Sequence, residues 1–204
     1  MKLLDDLRAE HALIEQVVLS LRAFGKLPER DAADSAAYLR FFRLWAGRWH
    51  HAREEDVLFP ALVATEVPGD RGPLAILVGA HHAMAHLLDE MESGLTAELA
   101  DKYCRALLHH IDAENSVLFP ESETRLRRAG GAELASRAPD ADELAARGEG
   151  ERLIARYPPD DGADIFRGDG CTACPAYGDG CDGIEREWWS ALEWEDIRER
   201  MGNG

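Results

Sequence analysis

The chain has 204 residues and a formal net charge of -16, with 46% apolar and 30% charged side chains. That length suits one packed domain and a small appendage. The charge argues against a nucleic-acid or anionic-membrane partner, because both would be repelled.

No apolar run of about 18 residues is available to span a bilayer. The N-terminal MKLLDDLRAEH carries acids where a signal peptide would be apolar, so a cytoplasmic location is expected. In that compartment the four cysteines read as thiols or metal ligands rather than structural disulfides.

Leu3, Leu7, Ile14, Val17, Val18 and Leu21 recur at helical spacing and predict a first helix closed by Gly25 and Pro28. Asp34 or Ser35 is expected to cap a second helix, which runs through Phe41, Phe42, Leu44, Trp45 and Trp49 toward residue 64. A third helix follows from Leu74 to Met91, with Pro73 suited to its first turn. After a break at Gly94 and Thr96, a fourth runs to Arg128 and ends at Gly130 and Gly131. Pro60 and Pro120 fall inside the second and fourth patterns, where each helix should kink or restart.

Four helices with short connections predict an all-α, up-down-up-down four-helix bundle over residues 1–131. Residues 132–204 read as a loop-rich C-terminal extension. It contains a Cys-x-x-Cys-x6-Cys segment and a patch from Ile184 to Met201 with Trp188, Trp189 and Trp194. Those tryptophans read as the apolar side of a docking helix.

One motif is written twice. HHAREEDVLFP from His50 to Pro60 aligns with HIDAENSVLFP from His110 to Pro120, so that His50 falls on His110 and Glu54 on Glu114. Residues four apart share a helix face, with about 6 Å of rise between them. His50 and Glu54 form such a pair, as do His82 and His86, and His110 and Glu114. With His11 on the first helix, all four helices contribute, and counting along each from its ends brings them to a similar level.

Imidazole and carboxylate together suit a borderline metal such as Fe(II), and a carboxylate can bridge two metals where an imidazole cannot. Five His and two Glu therefore predict a dinuclear centre, three His on one metal and two on the other, with an open position for a small ligand. On the second helix His51 with Glu55 offers a competing register. Alignment on Leu-Phe-Pro selects His50 and Glu54, because His51 then falls on Ile111. His51, His81 and His109 are left as neighbours that line the site or support it.

The segments EHALIEQV, WHHAREEDVLFP, AHHAMAHLL and LHHIDAENSVLFP resemble the hemerythrin-like family, also described as HHE cation-binding domains. The resemblance covers residues 1–128. It implies that His82, His86 and His110 hold one iron, that His11 and His50 hold the other, and that Glu54 and Glu114 bridge them. The oxygen carriers of the family place an Asp five residues after the fourth-helix His, whereas Glu114 lies four after His110. The Glu-x-x-His motif of ferritin-like di-iron enzymes and the His-Glu-x-x-His of zinc proteases are both absent from the sequence.

In GDGCTACPAYGDGCDG, Cys171, Cys174 and Cys181 have knuckle-like spacing for zinc or an iron–sulfur cluster. A redox dithiol and inert thiols are the alternatives. A fourth ligand would come from Cys104, Asp182 or an exogenous group, although Cys104 itself reads as a buried packing residue. Tyr103 reads as a core tyrosine on the His110 face.

Neutral imidazoles stabilise high-valent iron less than carboxylates do. The expected function is binding of O2 or a related small ligand (NO, peroxide) for sensing, storage or delivery. The rival is a di-iron oxidase or oxygenase whose Cys/Trp extension completes a pocket for a small-molecule substrate, with a redox partner. A third class, iron handling or repair, would use the same ligands.

Overall fold

The computed structural model describes residues 1–70, 72–131, 133–165 and 167. Among these residues every regular element is helical, and no helix is long and apolar enough to cross a membrane. The first arm is α1 (Lys2–Gly25). The second runs without a break in helical backbone through α2 (Ala32–Arg40), π-helical Phe41–His51, π-helical Glu54–Leu58 and α3 (Phe59–Val63). The third is α4 (Gly72–Ser93). The fourth joins α5 (Ala97–Ala113), π-helical Glu114–Leu118 and α6 (Phe119–Arg128). A further helix, α7, covers Ala141–Arg156.

Local chemistry accounts for these limits. Thr96 caps α5 by accepting from the Leu99 N–H. The cap of α2 is Asp31 rather than the expected Asp34 or Ser35, since Asp31 accepts from the Asp34 N–H at 3.0 Å. Asp34 is buried and committed instead to Arg152, Arg156 and the Tyr157 hydroxyl.

Pro60 and Pro120 each restart an α-helix after a wide turn. The N–H of Phe59 reaches back five residues to the Glu54 carbonyl, and that of Phe119 to the Glu114 carbonyl. A proline ring collides with the carbonyl four residues earlier in an α-helix, and a π turn moves that carbonyl aside.

The arms pack side by side, with α1 against α5, α4 against α5 and against the Phe41–His51 turns, and α3 against α6. Two apolar clusters result. One is built on Ile14, Leu21, Phe42, Met84 and Leu107, the other on Leu4, Leu7, Leu58, Leu77 and Phe119. Each fully buried side chain of this kind contributes about 1.5–3 kcal/mol.

The chain beyond Gly131, expected as a loop-rich appendage, joins the first cluster as far as it is described. α7 packs on α1, α2 and the Phe41–His51 turns, and it delivers Leu153 to the core. Its approach requires a glycine, because a Cβ on Gly150 would lie 2.5 Å from the Phe41 ring. Cys171, Cys174, Cys181 and the late tryptophans lie outside the described residues.

Candidate metal centre

Between the two apolar clusters lies a polar layer. On α1 it falls between Leu7 and Ile14, on the second arm between Trp49 and Leu58, on α4 between Leu77 and Met84, and on the fourth arm between Leu107 and Leu118. Into it project His11, His50, His51, Glu54, His81, His110 and Glu114, all buried. Burying this many polar groups costs several kcal/mol per ion unless something compensates.

The side chains form two groups, His11, His50, Glu54 and Glu114, and His51, Glu54, His81 and His110. Within each group the donor atoms lie within 4.8 Å of one another. Each carboxylate touches both sides of the layer. Glu54 sets Oε1 3.4 Å from His50 Nε2 and Oε2 3.6 Å from His81 Nε2. Glu114 sets Oε2 3.2 Å from His11 Nε2 and Oε1 3.2 Å from His110 Nε2.

Outer partners orient three of the rings. His50 Nδ1–H donates to Glu10 Oε2 at 2.9 Å, His81 Nδ1–H to Glu55 Oε1 at 2.6 Å, and His11 Nδ1–H to Asn115 Oδ1 at 2.9 Å. Because Glu10 and Glu55 only accept, Nδ1 of His50 and His81 carries the proton. In the neutral ring Nε2 then presents a lone pair inward, that of His50 toward Glu54 Oε1 and that of His81 toward His110 Nε2, 3.0 Å away.

Burial keeps those rings neutral, pushing His50 and His81 down to about 3, and it drives His51 well below the usual histidine range. Lone pairs facing carboxylate oxygens repel unless a cation stands between them. The four oxygens of Glu54 and Glu114 are buried without a hydrogen bond, as is His11 Nε2. The donor set and its orphaned atoms fit a metal ion at each of two positions.

The two carboxyls differ in protonation. Burial and the adjacent Glu114 charge push Glu54 well above the ordinary carboxylate range. Burial would raise Glu114 as well, but the nearby His110 and His11 imidazoles hold it well below that range.

Of the seven expected ligands, His11, His50, Glu54, His110 and Glu114 meet in the layer, while His82 and His86 do not. Both are exposed, and His86 lies on the solvent side near Asp89. The expectation of His82 and His86 at the centre is therefore corrected to His81 on α4 and His51 on the second arm. These two rings stack 3.9 Å apart at 9°.

The signal for His81 was present in the sequence. Leu74, Leu77, His81, Met84, Leu88 and Met91 follow a three-four apolar spacing, which puts His81 on the core face. His51 had no such signal, because the π turns that bring two consecutive histidines inward leave no mark in a 3.6-residue period. His109 lines an apolar cavity of about 310 Å³ with His110, Ala80, Ala83 and Ala106. Cys104 and Tyr103 are core residues, as expected.

A helical protein with two His/Glu groups joined by shared carboxylates has the attributes of a cation-binding domain. The family model described as the hemerythrin HHE cation binding domain matches residues 2–122, and the chain belongs to that family. No curated protein and no solved structure matches the chain.

Proposed function

We propose that the layer is a di-iron centre of an up-down-up-down bundle that binds O2 or a related small ligand (NO, peroxide) for sensing, storage or delivery. His11 and His50 would hold one iron, His51, His81 and His110 the other, and Glu54 and Glu114 would bridge. The observation that carries this reading is the pair of buried carboxylates, each with one oxygen turned to each histidine group and neither oxygen hydrogen-bonded.

Iron would supply a redox couple and coordination positions for a diatomic. The chain's own residues do the rest. Glu10, Asn115 and Glu55 fix three imidazoles with Nε2 inward. The apolar clusters above and below keep bulk water from the layer. Five imidazoles against two carboxylates favour holding a ligand over cleaving it.

A second reading, a di-iron oxidase or oxygenase, is favoured by one observation. A cavity of about 430 Å³ between the second arm and α4 reaches His51 and His81, with Phe42, Met84 and Tyr103 in its wall. That volume suits a small organic substrate.

The experiment is to reduce the iron-loaded protein anaerobically and admit O2 while recording visible absorption. A lasting charge-transfer band that bleaches under vacuum supports ligand binding. Immediate oxidation of the iron, accelerated by an organic substrate, supports the oxygenase. A preparation that takes up no iron under anaerobic reconstitution overturns both.

A further inference from the structure

His50 is held from outside by a network that reaches beyond the family match. Glu10, on α1 beside His11, is 13% exposed and divides its two oxygens among three donors. Oε2 accepts from His50 Nδ1–H at 2.9 Å and from the Arg53 guanidinium, and Oε1 accepts from the Trp49 indole N–H at 3.1 Å. Arg53 lies 4.1 Å from the centre of the Trp49 ring, and Arg137 lies over the same ring at 5.0 Å.

Arg137 is itself anchored. It donates to both oxygens of Glu143, at 2.5 and 2.6 Å, and to the Arg48 carbonyl at 3.0 Å. Glu143 is fully buried and closes the capping box at the start of α7. A connected path thus runs from His50 through Glu10, Trp49 and Arg137 to Glu143, and its last two residues lie outside residues 2–122.

We propose that Glu10 is the positioning residue of His50, and that Arg137, anchored by Glu143, keeps Glu10 in place by restraining Trp49. The segment downstream of the family domain would then set the geometry of the two-imidazole side of the centre. The inference rests on the metal-centre reading in its consequence for iron, but not in its geometry.

The physical argument concerns orientation. An acceptor on Nδ1 fixes which nitrogen faces the layer and how the ring is rotated, and it strengthens the imidazole as a donor. A carboxylate alone could swing about its own bonds. Trp49 offers a single N–H in a plane set by its ring, so it determines which oxygen of Glu10 remains for His50. Arg53 shares that oxygen and neutralises its charge, and Arg137 adds a contact that limits tilting of the indole. His11 and His81 have their own acceptors, Asn115 and Glu55, and neither belongs to this path.

The test begins with the full chain stripped of metal. A hydrogen-bonded Nδ1 proton gives a downfield, slowly exchanging proton resonance, assigned for each ring by its loss in the corresponding His→Ala variant. Glu10→Ala should abolish the His50 resonance. Glu10→Gln should retain it with faster exchange, since the amide keeps an acceptor for His50 but turns a donor toward Trp49. Arg137→Ala should speed exchange at His50 several-fold and leave His11 and His81 unchanged.

Ferrous iron is then added anaerobically to the same proteins. Glu10→Ala should weaken one of the two irons about 10- to 100-fold, Arg137→Ala should weaken the same one by a smaller factor, and the other iron should be unaffected. An unchanged His50 resonance in Arg137→Ala overturns the proposal, as does equal acceleration at all three rings, which would mean general loosening. If the parent protein takes up no iron while the His50 resonance responds as expected, the metal-centre reading fails and the positioning path stands.

Discussion

From His50 to Pro60 and from His110 to Pro120 the backbone behaves alike. A histidine is followed four residues later by a buried glutamate whose carbonyl accepts from a phenylalanine N–H five residues on, and a proline restarts the α-helix. The surroundings of the two copies differ. His50 Nδ1–H has a carboxylate acceptor tied into a network, while His110 Nδ1 is buried with no hydrogen-bond partner. His51 faces the layer where the other copy places Ile111 in the apolar core. Glu54 is driven toward its neutral form and Glu114 is held ionised. Repetition of sequence thus fixes the backbone path and the placing of the carboxylates. The chemistry of each copy is set by residues outside it.

The largest expected effect comes from breaking what the copies share. Glu54→Ala or Glu114→Ala should take the protein from two irons to essentially none, measured as metal per chain, because each removes a donor from both positions. The same pair sharpens the contrast in metal-free protein. Glu54 has a raised pKa when folded, so the folded state binds a proton that the unfolded chain has released. Its contribution to stability therefore becomes more unfavourable as pH rises above the ordinary carboxylate range toward its folded value. Glu54→Gln should relieve this, with a gain over the parent that widens between pH 5 and pH 8 in thermal melts. Glu114, held low, has the opposite sign, and Glu114→Gln should show no such widening gain.

A second test concerns the arm that has no copy. His81→Ala should weaken iron binding more than loss of an outer partner such as Glu10 does, by upward of about 100-fold, while His82→Ala and His86→Ala should leave it within error, as measured by anaerobic titration. Here the sequence was legible in part. Most helix limits followed from apolar spacing, and the restarts at Pro60 and Pro120 and four residues of the layer, His50, Glu54, His110 and Glu114, followed from the repeat, while His11 came from its place on the first helix and the family resemblance. The repeat supplied a register only where it existed. On α4 the i, i+4 pair His82 and His86 looked like a ligand pair, yet Ala75, Gly79, Asp89 and Ser93 share its outward side. The apolar row through His81 points inward, and packing outweighs a pairwise spacing rule. His51 with Glu55 offered a register that the repeat set aside, and that both His50 and His51 turn inward could not be read, since a π turn depends on how the second arm accommodates Pro60. Nor did composition reveal α7 in the core, because its contacts rest on Gly150 and on ion pairs to Arg40, Arg48 and Arg137.

The external support of the first copy can be broken without touching the layer. Glu143→Ala leaves Arg137 and Arg48 without their buried acceptor and removes half of the α7 capping box. Both arginines remain close to half exposed, so they recover hydration. The expected loss is therefore about 2–3 kcal/mol, at the low end for a broken buried pair. Denaturant unfolding measures it. Arg127→Ala, which removes an exposed partner of Glu123 in the second copy's arm, should cost less than about 0.5 kcal/mol.

A smaller effect than that of Glu143→Ala comes from making the copies more alike. His51→Ile writes the first copy as the second is written at Ile111. The buried imidazole stacks on His81 and lies at 5.5 Å from His110, edge to face, and burial holds it neutral. In metal-free protein its ring nitrogens have lost water, whereas an isoleucine there would bury only apolar surface. The variant should accordingly gain about 1 kcal/mol, or roughly 2–4 °C in Tm. Iron should respond in the opposite direction, because the position served by His81 and His110 loses its third imidazole while that of His11 and His50 keeps all of its donors. A higher Tm together with one weakened iron would place His51 among the ligands and mark it as a residue kept at the expense of stability. A higher Tm with both irons held as before would reduce His51 to a neighbour. The two copies would then hold metal through the same two residues each, and the asymmetry between them would lie in Glu10 and its network and in the opposite protonation of Glu54 and Glu114.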